Sequence, residues 1–140
     1  MKNKIIVVLA LFLLFASCEK NKEKKFTGKY IGTLEYNNYF IDNSTHEFTQ
    51  LDHGTTNDFE DEVYSYSSEL YFKYIDYYKI NLKKIKQGKE YIVNYKTSNI
   101  TGELKVTFFQ NEVNYKEIYS RKSDSITIHH EGEFWGAKDY

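Results

Sequence analysis

Proline is absent from this 140-residue chain, and cysteine, methionine and tryptophan occur once each. A lone cysteine, Cys18, allows no disulfide within the chain, so the fold must hold by packing and hydrogen bonding. Apolar helix formers are scarce as well: beyond residue 17 only Ala137 and five leucines remain. A mostly helical domain is excluded on that ground. Charge of one sign is also lacking, with 19 Lys and Arg against 20 Asp and Glu and a formal net charge of −1. Such a balance offers no basic face of the kind nucleic acid requires. What the chain does have is 14 Tyr and 10 Phe, with Ile, Val and Thr, the residues that suit pleated, half-buried surfaces. An A- and T-rich genome also enriches Tyr, Phe, Ile, Asn and Lys, so the tyrosines alone do not mark a sugar-binding surface.

The one long apolar run lies at the start. Lys2 and Lys4 precede twelve apolar residues from Ile5 to Ala16, followed by Ser17 and Cys18. A basic beginning, a short apolar segment and small residues before a cut site describe a secretory signal. Twelve residues cover roughly 18 Å as a helix, well short of the roughly 30 Å hydrocarbon core, so a permanent span is not expected. Phe15-Ala16-Ser17-Cys18 resembles the lipobox of Bacteroidetes-type bacterial lipoproteins, with Phe15 where that family has leucine or another aliphatic residue. The resemblance implies cleavage between Ser17 and Cys18 and lipidation of Cys18, which would also account for the missing partner cysteine. It places the protein in a bacterial cell envelope, anchored to the outer membrane, with periplasmic and surface-facing placements both open. Loss of Lys2 and Lys4 takes the formal charge from −1 to −3.

Three segments follow from this division. Residues 1–17 are the signal peptide, 18–25 the lipidated cysteine with a flexible charged tether, and 26–140 a single domain. From Phe26 onward the apolar residues alternate. Phe26, Gly28, Tyr30, Gly32 and Leu34 share one face, and Tyr78, Ile80 and Leu82 repeat the pattern. Further on, Tyr91, Val93 and Tyr95, then Leu104, Val106 and Phe108, then Val113, Tyr115 and Tyr119 do the same. A period of two over short segments joined by turns at 86–89, 97–102, 110–112 and 121–124 predicts an all-β antiparallel meander. Glu117 interrupts its apolar face. Between Asp42 and Glu62 the alternation is poor, and a short strand over 45–51 followed by an acidic loop over 57–62 is expected there.

The last strand carries Ile126, Ile128, His130, Gly132, Phe134 and Gly136 on one face. First and last strands thus both place two glycines around an aromatic on the presumed inner face, a device for curling a sheet. These strands are expected to pair and to close a small barrel of about eight strands, with an open sheet or sandwich as the other arrangement. Gly28-Lys29-Tyr30 is similar to the Gly-x-Trp opening of lipocalin-like barrels, with tyrosine in place of tryptophan and no arginine on the closing strand. That resemblance implies a calyx for a small apolar ligand. By their phase Tyr30, Leu34, Tyr91, Val93, Leu104, Val106, Ile128 and His130 line the interior, which would accept such a ligand if it is not filled, and the bulky inner aromatics favour a filled one.

No motif commits the chain to a reaction. There is no Gly-x-Ser-x-Gly elbow and no phosphate-binding glycine loop, so no catalytic residue and no cofactor is assigned. His129 and His130 are adjacent on a strand and point to opposite faces, and His46, Asp52 and His53 lack a metal-site spacing, so no metal is assigned. Asp58, Glu60, Asp61 and Glu62 lack the glycine-turned spacing of a calcium loop. Trp135 falls on the outward face and is a candidate surface contact. Asp124-Ser125-Ile126 is similar to the short O-glycosylation motif of Bacteroidetes exported proteins. The expected function is a non-enzymatic binding or interaction module whose partners are the membrane, through the anchor, and an envelope protein. A lipocalin-like carrier is the second reading and a hydrolase using the acidic-loop carboxylates the third.

Overall fold

A computed structural model describes residues 23–75 and 78–140, and the leader, Ser17, Cys18 and the first part of the tether lie outside them. Eight strands run β1 (Gly28–Asp42), β2 (Phe48–Tyr66), β3 (Glu69–Phe72), β4 (Lys79–Asn81), β5 (Glu90–Lys96), β6 (Ile100–Phe108), β7 (Glu112–Lys122) and β8 (Ile126–Lys138). They form one antiparallel sheet in the order β4-β3-β2-β1-β8-β7-β6-β5, coiled into a nearly closed barrel. As the glycine pattern predicts, β1 and β8 pair along their length, from Tyr30↔Lys138 to Asp42↔Ile126.

Gly32 stands directly opposite Gly136 in that ladder. A methyl group on Gly32 would lie 1.8 Å from the Trp135 carbonyl oxygen, and one on Gly136 would lie 2.3 Å from the Phe134 ring. Two backbones and an aromatic ring therefore occupy the space a side chain would need. The β1–β2 register shifts between Gly32 and Leu34, a bulge that sharpens the coil at the same place.

The barrel is not hydrogen-bonded all round, because β4 and β5 are the two edges of the sheet. Between them lies a 3-10 turn, Leu82–Lys84, capped by the Asn81 side chain, which accepts from the Lys83 amide at 3.0 Å. Leu82 and Ile85 bury their side chains and fill the seam. The Tyr91 hydroxyl ties it further, donating to the Lys84 carbonyl at 2.8 Å and accepting from the Lys86 amide at 2.6 Å.

The interior is one continuous apolar cluster that includes Tyr30, Leu34, Phe72, Leu104, Val106, Phe108 and Phe134. Aromatic rings meet edge-on or tilted, Phe26–Phe108 at 5.4 Å and Tyr115–Phe134 at 5.1 Å between centroids, the favoured offset geometries. Residues 23–26 form a helical turn that brings Phe26 into this cluster, and the Glu23 carboxylate accepts from the Ser65 hydroxyl.

Strands β6 and β7 extend to Ile100 and Lys122, into the turns expected over 97–102 and 121–124, and Leu82, expected on a strand, opens the 3-10 turn. The largest departure from the sequence expectation lies in β2. Residues 48–66 are a single strand, where a short strand and an acidic loop were expected. Over 48–60 no residue of β2 is buried, and β3 covers its second side only at Val63–Tyr66. A strand with no buried face has no reason to alternate. Two bulges, at Leu51 and at Asn57–Asp58, shift the phase further, and Asp58 takes a φ of 56°.

Candidate functional site

Of the residues assigned to a ligand-lined interior, Tyr30, Leu34, Leu104 and Val106 are no more than 3% exposed and pack against one another's neighbours in the core. Tyr91 and Val93 pack against the same cluster half-buried, and Ile128 is half-buried nearer the other end. Burial pushes the Tyr30 hydroxyl up to about 12, and it donates to the Phe26 carbonyl at 3.0 Å.

Two buried carboxylates interrupt the apolar interior. Glu117 faces His130, whose Nε2 lies 3.9 Å from Glu117 Oε2 while Nδ1 lies 2.6 Å from Asn38 Oδ1. The His130 ring stacks on Tyr119 at 4.9 Å. Desolvation holds His130 below the ordinary imidazole range, so its neutral form predominates near pH 7. Asp61 accepts from the Tyr115 hydroxyl at 2.9 Å and from the Tyr74 and Glu62 amides at 3.0 and 2.8 Å. Burial raises its pKa and those bonds oppose the rise. Among the described residues no fully buried side-chain nitrogen or oxygen lacks a partner. With side chains 7% and 3% exposed, His130 and Glu117 present no open face to a substrate. They are a satisfied internal network.

The open surface lies outside the barrel. A groove of about 390 Å³ runs across β2, β1, β8 and β7, bounded by Glu35, Asn37, Gln50, His53, Lys116, Glu131 and Glu133 among others. The strand register builds it: Glu35 stands opposite both Thr55 and Glu133, and Glu133 opposite Lys116. Like charges directly opposite repel, and Lys116 Nζ, 3.8 Å from Glu133 Oε2, offsets part of that repulsion. Gln50 donates to Asn37 Oδ1 at 2.9 Å across one wall.

Aromatic groups flank this groove. Tyr39 stacks on His129 at 4.6 Å and packs on Phe48 at 4.4 Å, with Phe48 61% and Leu51 52% exposed. On the other side Trp135, 38% exposed as its outward phase predicts, borders a hollow of about 120 Å³ that shares Lys116 and Glu133 with the groove. His129, Glu131, Glu133 and Trp135 thus form one outward line along β8. His129 Nδ1 lies 2.8 Å from the Ser120 hydroxyl, and Nε2 lies 3.4 Å from Glu131 Oε1. That order imitates a nucleophile, base and acid. Ser120, however, sits mid-sheet, between β6 and β8, where the ladders engage the amides an acyl-transfer site would aim at an oxyanion. The three residues make a surface hydrogen-bond chain.

The remaining candidates are dispersed. His46 lies in the β1–β2 turn with a φ of 62°, while His53 lines the groove. Glu60 is paired with Lys29 at 2.9 Å and Glu62 with Lys73 at 3.6 Å, so these carboxylates do not converge on a shared cleft. No group of three metal-ligating side chains gathers among the described residues. Glu35, Asn37, Tyr39, Gln50, Lys116, Glu131 and Glu133 were not singled out by sequence. The signal that would have found most of them is the outward phase of the two strands whose pairing the glycines had already disclosed. Comparison with family models, with curated proteins and with solved structures finds no match to this chain.

Proposed function

We propose that this chain is a lipoprotein, anchored through Cys18 to the outer membrane of a bacterial envelope, whose barrel is a non-enzymatic binding module working through its outer face. The observation that carries the reading is the contrast between inside and outside. The interior positions a carrier would leave open are filled by Tyr30, Leu34, Leu104 and Val106, whereas an open groove with aromatic flanks lies on the outer wall. Three carboxylates against one lysine favour a partner that brings a positive group to the groove. Exposed Phe48, Leu51 and Trp135 add the rigid apolar area on which interface affinity concentrates.

A lipocalin-like carrier is the second reading, favoured by the eight-stranded, nearly closed barrel and by the half-buried Tyr91, Val93 and Ile128. Native mass spectrometry of protein taken from its own envelope separates the two. The mass of the acylated chain alone is expected, and an apolar molecule retained without a covalent bond would establish the carrier. In parallel, a photocrosslinking residue at Gln50 should capture one discrete partner in cells, while the same residue at Asn94, on the far wall, should not. Equal labelling from both positions would remove the groove as the site.

A further inference from the structure

The end of the barrel at which β1 begins and β8 finishes has the opposite chemistry to the groove. There a hollow of about 440 Å³ is bounded by Lys24, Lys25 and Lys138, by Gln87, Gln110 and Asn111, and by Tyr140. Three ammonium groups, three carboxamides and a phenol are the side-chain groups that surround it. Every one of these side chains is a hydrogen-bond donor. Such a lining selects an anion with several acceptor oxygens.

The donors are tied together by the fold. Lys138 Nζ donates to the Lys24 carbonyl at 2.8 Å and lies 3.4 Å from that of Lys25. Lys25 Nζ donates to Gln87 Oε1 at 2.7 Å, and the Tyr140 hydroxyl donates to Asn111 Oδ1. The N-terminal turn, the 86–89 turn, the β6–β7 turn and the C-terminal residues are thereby drawn round one space. Partial burial holds Lys138 below the ordinary lysine range, a cost an anion would relieve. Phe109 and Tyr140, 38% and 89% exposed, stand on the same end, and aromatic residues of this kind settle at the headgroup level of membranes.

Position supplies the remaining argument, and this step rests on the reading of Cys18 as the lipid anchor. Five residue steps separate Cys18 from Glu23 and reach at most about 18 Å, so the basic end is the one held near the bilayer. We propose that the hollow bounded by Lys24, Lys25, Lys138, Gln87, Asn111 and Tyr140 receives the phosphate of an anionic lipid headgroup, seating this end of the barrel on the membrane. The groove then lies on the side wall, free to meet a partner.

The test uses the mature chain from residue 18 carrying Cys18→Ser, which holds every strand and core residue and bears no acyl group. Cosedimentation at low salt is measured with vesicles of phosphatidylcholine alone and of phosphatidylcholine with phosphatidylglycerol. Binding to the anionic vesicles is expected, weakened roughly five-fold per lysine in Lys24→Gln and Lys25→Gln and roughly a hundred-fold when Lys138→Gln is added. The Lys96→Gln/Lys122→Gln pair, at the opposite end, should leave binding unchanged. Lys138→Gln also breaks bonds to the chain, so Lys24→Gln, whose side chain makes no hydrogen bond among the described residues, gives the variant free of a folding defect. Equal binding to both vesicles, or equal loss from the opposite-end pair, overturns the proposal. Chemical-shift changes at Lys24 and Asn111 with inorganic phosphate, in a protein that ignores vesicles, would assign the hollow to a soluble anion and overturn the headgroup. The anchor is read separately, by detergent partition of the exported wild type against Cys18→Ser. Its failure would leave the vesicle result standing.

Discussion

Strands β6 and β2 both carry large apolar side chains and use them in opposite ways. In β6 the residues Gly102, Leu104, Val106 and Phe108 are buried, while Lys105 between them and Thr101 just before them are exposed. In β2 the segment 48–60 leaves Phe48 and Leu51 exposed and Phe59 only half-buried against the core, and the first buried residue of the strand is Asp61. The difference is neighbours: β6 is paired on both sides, whereas β2 over that segment has β1 alone. Apolar content does not make a core, and a second layer is needed to receive it.

The contrast is sharpest for truncation. Phe134→Ala should cost about 4 kcal/mol in urea unfolding, because the ring covers Gly136 and meets Tyr115 at 5.1 Å. Leu51→Ala, at 52% exposure, should stay within about 0.5 kcal/mol, and a large loss there would mean that β2 has an unseen covering. Next comes crowding at the coil. Gly32→Ala must push β1 away from the Trp135 carbonyl, a loss of about 2–3 kcal/mol in the same assay, while Gly88→Ala, whose site is open, should lose less, through its φ of 71° alone.

Acid should affect the buried network more than the groove. The folded pKa of His130 lies below its unfolded value, so the stability of the neutral form is complete above about pH 6.5 and is lost as pH falls toward the folded value, by at most about 1.4 kcal/mol per pH unit. Urea titrations at stepped pH should show that slope, and His130→Gln should flatten it. The smallest effect is kinetic: amide exchange over 48–60 should proceed by local opening, far faster than over 102–108. Equal protection in the two segments would erase the distinction.

Legibility in the sequence followed the same line. Where a strand has one buried face, as in 90–96, 104–108 and 126–138, alternation gave its phase, including the inward His130 and the outward Trp135, although β6 already begins at Ile100, inside the turn expected over 97–102. The glycines at 32 and 136 disclosed the β1–β8 pairing because close backbone approach leaves glycine no substitute. Residues 48–60 were illegible because none of them is fully buried and only Phe59 packs on the core, and the groove was illegible because Glu35, Lys116 and Glu133 meet only through cross-strand register. Glu117 was visible as a break in pattern, but its imidazole partner comes from another strand, so the pair was not.

The last strand made is also the keystone. Only β8 is bonded to both β1 and β7, so the two halves of the sheet, β1–β4 and β5–β7, share no ladder until it is in place. A nascent chain stopped at residue 125 would hold two unjoined ribbons with their greasy sides bare, not a slightly smaller barrel. Closure of the sheet must therefore wait until β8 has been made, however early the other seven strands emerge.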